Sequence, residues 1–185
     1  SLFVATTLVG NNLANYMTWK TRACPPEPGD RLLQKTPVGF DSSVGEIWYP
    51  LLTGTELVLA RPGGQRDPEY LLRAIREHDI TLFKAVPSQY RAMLMAGGLD
   101  RCPSLRLLFS GGEPLPTPVA AELRRITGAR VINLYGPAEA TVSATAFEFV
   151  GQPMGDQVPI GRAIDNVGVS LLDEAGTPVP AGVVG

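Results

Sequence analysis

The sequence has little that reacts on its own: two cysteines and one histidine in 185 residues. Cys24 and Cys102 each adjoin a proline. They form neither a metal-ligand spacing nor a disulfide framework, so a reducing cytoplasm is the expected location. His78 sits near the end of a predicted helix, where a cation suits the helix dipole, and no serine or cysteine arrangement makes it a triad member. No apolar run reaches the roughly 18–20 residues of a membrane helix. The apolar opening Ser1-Leu2-Phe3-Val4 has no charged region and no cleavage site, unlike a signal peptide. Sixteen Lys and Arg against 18 Asp and Glu give a net charge of −2. That is neither a basic footprint for nucleic acid nor a polybasic membrane patch, so neither is an expected partner. No internal repeat is found.

What is present is an ordinary globular composition, 44% hydrophobic and 18% charged. Twenty glycines and 17 prolines fall between periodic segments, as turn punctuation. Arg31–Thr36, Glu56–Ala60, Ile80–Val86, Leu105–Phe109 and Arg130–Leu134 read as strands. Helices are predicted from Ser43 to Leu52, with Val44, Ile47, Trp48, Leu51 and Leu52 on the inner face. Another runs from Pro68 to about His78, capped by Asp67, with Tyr70, Leu71, Ala74 and Ile75 inward. A third follows Ser88 as its cap, with Tyr90, Met93 and Leu94 inward and Gly97-Gly98 as its stop, and a fourth spans Pro118 to Thr127 before Gly128. Trp19 and Trp48 are expected in core or interface packing.

Strand and helix alternating at this spacing predict right-handed βαβ units. The fold class is α/β, a mainly parallel sheet flanked by helices. After about Val158 the pattern changes. Val167–Asp173 reads as a strand and Glu174-Ala175-Gly176 as a hairpin turn. The expected organisation is an α/β unit over 1–157 and the start of a β-rich unit over 158–185.

Ligands of open parallel sheets bind at strand carboxyl ends. Three segments with chemistry fall there or open a helix. Phe109-Ser110-Gly111-Gly112-Glu113-Pro114 has paired glycines that let backbone approach a flat ligand, or it is a simple turn. Asn133-Leu134-Tyr135-Gly136-Pro137-Ala138-Glu139 offers an amide, an aromatic plate, a tight turn and a carboxylate. Those are the groups that an adenine ring and a phosphate-bound magnesium need. Phe40-Asp41-Ser42-Ser43 opens a helix, where Asp41 also reads as an ordinary N-cap. Lys84 interrupts the apolar run Leu82-Phe83-Lys84-Ala85-Val86. It either lines a pocket or snorkels to water.

Together these segments resemble the adenylate-forming superfamily, and within it the adenylation domains of nonribosomal peptide synthetases. Phe40–Ser43 is similar to the FDxS motif, Asn133–Glu139 to NxYGPTE, and Pro159–Asn166 to PIGRPIxN. Leu171-Leu172-Asp173 with Pro178–Gly182 resembles the approach to the GEL motif. The match runs in order over nearly the whole chain. It implies the flavodoxin-like α/β subdomain of such a domain. It also implies ATP-dependent activation of an amino acid as aminoacyl-AMP, with Mg2+. The partners implied are a peptidyl carrier domain bearing phosphopantetheine, and a condensation domain.

The resemblance also implies roles. Asp41 would hold the substrate's α-ammonium, since a buried cation must be paired. Tyr135 would stack on adenine, with Asn133 at its edge and Gly136 in the same turn; Glu139 would hold Mg2+ as the catalytic carboxylate. Gly111 and Gly112 would lie against adenosine or substrate. The specificity pocket would map onto Asp41, Ser42, Gly45, Lys84, Phe109, Gly111, Leu134, Val142 and Ser143. A lysine in that pocket favours an acidic or amide side chain on the substrate, aspartate- or asparagine-like. Gly45 and Ser42 leave room for a larger polar one.

There are departures. Ala138 stands where the family has threonine. Ser1–Ala5 does not resemble the family's phosphate loop, and Gly185 precedes its ribose-binding aspartate and its mobile domain with the catalytic lysine. The resemblance therefore implies a central piece, inactive in isolation. Two other readings remain: an acyl- or aryl-acid CoA ligase, against which Asp41 argues, and a non-catalytic substrate-binding module.

Overall fold

In chain order the elements are α1 (Gly10–Ala23), β1 (Arg31–Gln34), α2 (Ser42–Thr53), β2 (Glu56–Leu59), α3 (Pro68–Glu77), β3 (Leu82–Ala85), α4 (Pro87–Ala96), β4 (Leu107–Gly111), α5 (Thr117–Thr127), β5 (Arg130–Tyr135), β6 (Thr145–Phe149) and β7 (Arg162–Ala163). They come from a computed structural model that describes residues 10–152 and 155–180. The Ser1–Ala5 stretch and Ala181-Gly182 lie outside those residues. The strands form one sheet in the order β2-β1-β3-β4-β5-β6-β7. β1 to β5 pair in parallel, and β6 and β7 add antiparallel at one side. The α/β class with a mainly parallel sheet is thus as expected.

Side-chain alternation along the strands divides the core into two layers. Phe83, Leu108 and Val131 pack under α3, α4 and α5 with Ile75, Met93 and Leu123. Leu82, Leu107, Phe109, Ile132 and Leu134 face the other way, against Tyr16 and Met17 of α1 and Tyr49 of α2. Each such apolar side chain, taken fully out of water, contributes about 1.5–3 kcal/mol.

Local signals explain most helix ends. The Asp67 carboxylate accepts from the Tyr70 N–H at 3.0 Å, and Pro68 begins α3. Gly54 and Gly128 close α2 and α5 in the left-handed conformation.

Three expectations are corrected. First, Ser88 does not cap α4: Pro87, which has no N–H to satisfy, takes the first turn, and Val86 stands at the cap without a side-chain bond. The free N–H of Ser88 instead donates to the Glu113 carboxylate at 2.9 Å, and its hydroxyl to the same group at 2.8 Å. A carboxylate from the next strand's loop therefore caps α4. Second, α2 turns a different face inward. Ser43, Gly45, Glu46, Tyr49 and Pro50 are buried, while Trp48, Leu51 and Leu52 are 44%, 66% and 59% exposed. The cause is polar. The Glu46 carboxylate accepts from the N–H groups of Lys35 and Thr36 at 3.1 and 2.9 Å and from the Thr36 hydroxyl at 2.6 Å. The Tyr49 hydroxyl donates to the Cys24 carbonyl at 2.8 Å. Charge-assisted bonds to backbone outweigh the apolar stripe.

Third, Val167–Asp173 forms no strand beyond a single Leu172–Pro178 bridge. Its Val169 and Leu171 side chains are exposed, and a lone two-stranded ribbon without a packed face is marginal. The turn after it is present, with Asp173 accepting from the N–H groups of Ala175 and Thr177. The sheet itself extends to Ala163, and Val158 and Ile164 are buried in the two core layers. Trp19 packs against the α1–α2 layer as expected.

Candidate active site

The two edges of the parallel sheet are electrostatically unlike. At the amino ends, charges are paired: Arg31 with Glu56, Arg106 with Asp30, and Arg130 with Glu148. At the carboxyl ends Asp41, Lys84 and Glu139 have no hydrogen-bonding or ionic partner for their charged groups among the described residues. That edge is where α/β sheets bind ligands.

Asp41 precedes α2 with helical φ and ψ (−55°, −32°), and its side chain makes no cap bond. The reading of Asp41 as an ordinary N-cap is thereby removed, and its half-buried carboxylate is free for another cation. Lys84, 8% exposed on β3, sits in register with Phe109 of β4. Burial pushes its ammonium below the ordinary lysine range, opposed by the negative charges of Glu46 and Asp41. Ser42, Lys84 and Gly111 line one cavity of about 220 Å³, with Phe40 at its mouth. Lys84 therefore lines a pocket and does not reach solvent freely.

Gly112 opens on a different cavity, of about 340 Å³, shared with Asn133, Leu134, Tyr135 and Gly136. Gly111 and Gly112 thus separate two cavities. A Cβ at Gly111 would stand 2.8 Å from the Leu134 carbonyl oxygen, so β4 and β5 come this close only with glycine there. Gly136 is as tight, with Ala144 N at 2.6 Å from a Cβ position. That contact lets the chain fold back after Tyr135 and pair as β6. Tyr135 is half exposed, its ring free for stacking. Asn133 is buried, and its amide N–H groups donate to the Val158 and Pro159 carbonyls at 3.3 and 3.0 Å. It pins the 158–159 backbone to the cavity wall, which leaves only its own carbonyl oxygen for a ligand. Glu139 is exposed in the 3₁₀ turn Ala138–Ala140.

The same turn continues through Thr141 and Val142, at φ 62° and 69°, a left-handed conformation costly for β-branched residues. This carries Val142 and Ser143 back to bury against α1. Phe109 and Leu134 are buried in the same layer. Gly45 belongs there too. A Cβ on it would lie 3.2 Å from the Tyr16 hydroxyl and 3.4 Å from the Lys20 ammonium. Neither α1 residue was anticipated. The available signal was a lysine at a buried position of a helical stripe: Leu13, Tyr16, Met17 and Lys20.

The cavities suit the groups that the motifs suggest. The Tyr135–Gly112 cavity offers a flat ring and exposed glycine backbone to a heterocycle. No cluster of three His, Cys, Asp or Glu exists among the described residues. A single carboxylate such as Glu139 fits Mg2+, which keeps water and phosphate oxygens as its other ligands. A larger groove, about 860 Å³, lies between α1 and α2 beside Leu13, Met17, Trp48 and Leu52. Among the described residues it has no titratable lining group. No helix among the described residues is long and apolar enough to cross a membrane.

Comparisons with known proteins agree with this geometry. The sequence profile described as AMP-binding enzyme matches residues 4–185. Tyrocidine synthase 3 of Brevibacillus parabrevis is 39% identical over 173 residues, 94% of this chain and 3% of that protein. Phosphinothricin tripeptide synthetase PhsB of Streptomyces viridochromogenes is 43% identical over 174 residues, 94% of this chain and 14% of that protein. The Vibrio cholerae adenylation domain AlmE, solved in complex with glycyl-adenosine-5'-phosphate, superposes with a TM-score of 0.86 at 30% identity. That match covers 96% of this chain and 35% of that one. The chain thus spans a minor part of each relative's length. It belongs to the AMP-binding enzyme family, and within it resembles the adenylation domains of nonribosomal peptide synthetases.

Proposed function

We propose that this chain forms the amino-acid and adenine walls of a domain that activates an amino acid. The substrate carboxylate attacks the α-phosphorus of ATP, giving aminoacyl-AMP and pyrophosphate, and the acyl group then passes to the phosphopantetheine thiol of a carrier domain with release of AMP. The observation that carries this reading is the pair of adjoining cavities across Gly111-Gly112. One holds Lys84 and lies beside the unpaired Asp41; the other is walled by Tyr135.

In this reading Asp41 pairs with the substrate's α-ammonium, holding the carboxylate toward the boundary between the cavities. Tyr135 stacks on adenine against the Gly112 backbone. Asn133 shapes the cavity edge through the Val158 and Pro159 carbonyls and keeps one oxygen for the base. Glu139 holds Mg2+, which draws charge from the phosphates. Ser42, Gly45, Lys84, Phe109, Gly111, Leu134, Val142 and Ser143 set the side-chain pocket. The buried, unpaired Lys84 favours an acidic or amide substrate. A carrier and a condensation domain are the partners proposed, and the cytoplasm the compartment.

The test is amino-acid-dependent ATP–pyrophosphate exchange by the enzyme carrying this chain, with and without Asp41→Ala. Exchange with an amino acid, lost in the variant, supports the proposal. Exchange that survives with a carboxylic acid lacking the α-amine favours an acyl- or aryl-acid ligase instead.

A further inference from the structure

The strand order β2-β1-β3-β4-β5 reverses the direction of winding between β1 and β3. From β1 the chain passes into α2, whose Tyr49 packs in one core layer. From β3 it passes into α4, whose Tyr90 and Met93 pack in the other. The two connections leave toward opposite faces, and a crevice opens between them at the carboxyl ends of the strands. β1 and β3 also splay. They are in register only at Leu32 and Leu82, whereas β3 and β4 match at four positions. The cavity of about 220 Å³ lies in this crevice, with Lys84 lining it from the end of β3 and Lys35 from beyond the end of β1.

Lys35 lies outside every segment that carries the motif resemblance. Its backbone is fixed, because its N–H donates to the Glu46 carboxylate at 3.1 Å. Its ammonium stands 5.5 Å from the centroid of the Phe83 ring and has no oxygen partner among the described residues. The positive charge of Lys35 acts on Lys84, so two unpaired ammoniums serve one small cavity. Burial holds both below the ordinary lysine range. Gln89 of α4 donates to the Gln65 carbonyl at 2.5 Å and ties the 3₁₀ turn Gly64–Arg66 to α4 as a further wall. The nearby anions are committed. Glu46 also accepts from the Thr36 N–H and hydroxyl, and Asp41 has the substrate's α-ammonium in the proposed reading. One carboxylate, that of Glu46, is left to balance two ammoniums.

We propose that Lys35 joins Lys84 in an anion site at the β1–β3 crevice, and that this site binds a carboxylate at the end of the substrate's side chain. Lys35 is then a further specificity-determining residue. The inference rests on the amino-acid-activating reading and narrows it from an acidic or amide substrate to an acidic one. A carboxylate has two oxygens for two ammoniums and lone pairs to spare for the Gln65 amide. Its single negative charge restores the balance of the site. An amide has one oxygen, and its NH2 group would face ammoniums, which have no lone pair to accept with. It would also leave a buried positive charge uncompensated.

The test is pyrophosphate exchange by the enzyme carrying this chain, with aspartate and glutamate against asparagine, glutamine and methionine. Preference for an acidic substrate is expected. Lys35→Met should raise KM for the preferred acid at least about 30-fold with little change in kcat, and leave KM for its amide nearly unchanged. Lys35→Arg, which keeps the charge, should recover most of the loss. A neutral preference in the unaltered enzyme, or an acid preference undiminished in Lys35→Met, overturns the inference and leaves the activating reading standing. If no amino acid supports exchange, the activating reading itself fails. Should Lys35→Met fail to fold, acetylation of the unaltered enzyme by acetic anhydride decides, read at Lys35 by peptide mass spectrometry. The preferred acid, at about ten times its KM, should slow modification of Lys35 about 10-fold, and its amide should not. Equal protection by both, or protection by neither, contradicts the assignment.

Discussion

Gly111 and Gly112 are neighbours in the chain, yet they wall different cavities: Gly111 faces Lys84, and Gly112 faces Tyr135. The end of β4 is therefore a partition, thin because neither residue has a side chain. In the proposed reaction, the bond between carboxylate and phosphorus forms across this partition.

Gly111→Ala tests that relationship. The new methyl would meet the Leu134 carbonyl oxygen at 2.8 Å, and backbone cannot move aside cheaply. A loss of about 1–3 kcal/mol in stability is expected from such overpacking. KM should rise for both amino acid and ATP, as read by thermal melting and by exchange kinetics.

Asp41→Ala separates chemistry from folding. Because the Asp41 carboxylate caps nothing, the melting temperature should stay nearly constant. Amino-acid activation should fall at least about 100-fold, as for loss of a charged partner in a buried pair. A large drop in melting temperature would return Asp41 to a capping role.

Glu113→Ala does the reverse. It removes the acceptor of the Ser88 N–H and hydroxyl at the start of α4. About 1 kcal/mol of stability should be lost, typical of a helix cap, and thermal or urea melts would measure it.

How much of this was legible in the sequence depends on which interactions decide each element. Strands β3, β4 and β5 are short apolar runs and α3 has its own cap, so local pattern sufficed. The loops after β4 and β5 were legible because glycine, tyrosine and carboxylate sit together in sequence. α2 misled because its orientation is set by Glu46 binding the backbone of Lys35 and Thr36, a contact that periodicity cannot register. α1 was overlooked: its start, Gly10-Asn11-Asn12, reads as a turn, and a lysine breaks its apolar stripe. β7 has two residues and exists only through its pairing with β6. Tyr16 and Lys20 pack against Gly45 through the absence of a side chain there, which is a tertiary fact.

Lys20 also predicts a stability profile. Burial lowers its pKa to about 7, with the positive charge of Lys84 adding and Cys24 and Glu46 opposing. An unfolded lysine titrates near about 10.4. Between those values the unfolded chain binds the extra proton, so this group makes the fold more stable as pH rises from 7 toward 10. Lys20→Met removes the buried charge and should raise stability by about 1–3 kcal/mol at pH 6–7. The advantage should shrink by pH 9. Melting of both proteins across that range, compared by difference, cancels the other titrating groups.

The most direct measurement is the crystal structure of the enzyme carrying this chain, bound to a non-hydrolysable aminoacyl-adenylate analogue. The account predicts adenine on the Tyr135 ring against Gly112, the α-ammonium on Asp41, and the acyl-phosphate linkage at Gly111-Gly112. Adenine bound away from Tyr135, or an ammonium that does not contact Asp41, would contradict it.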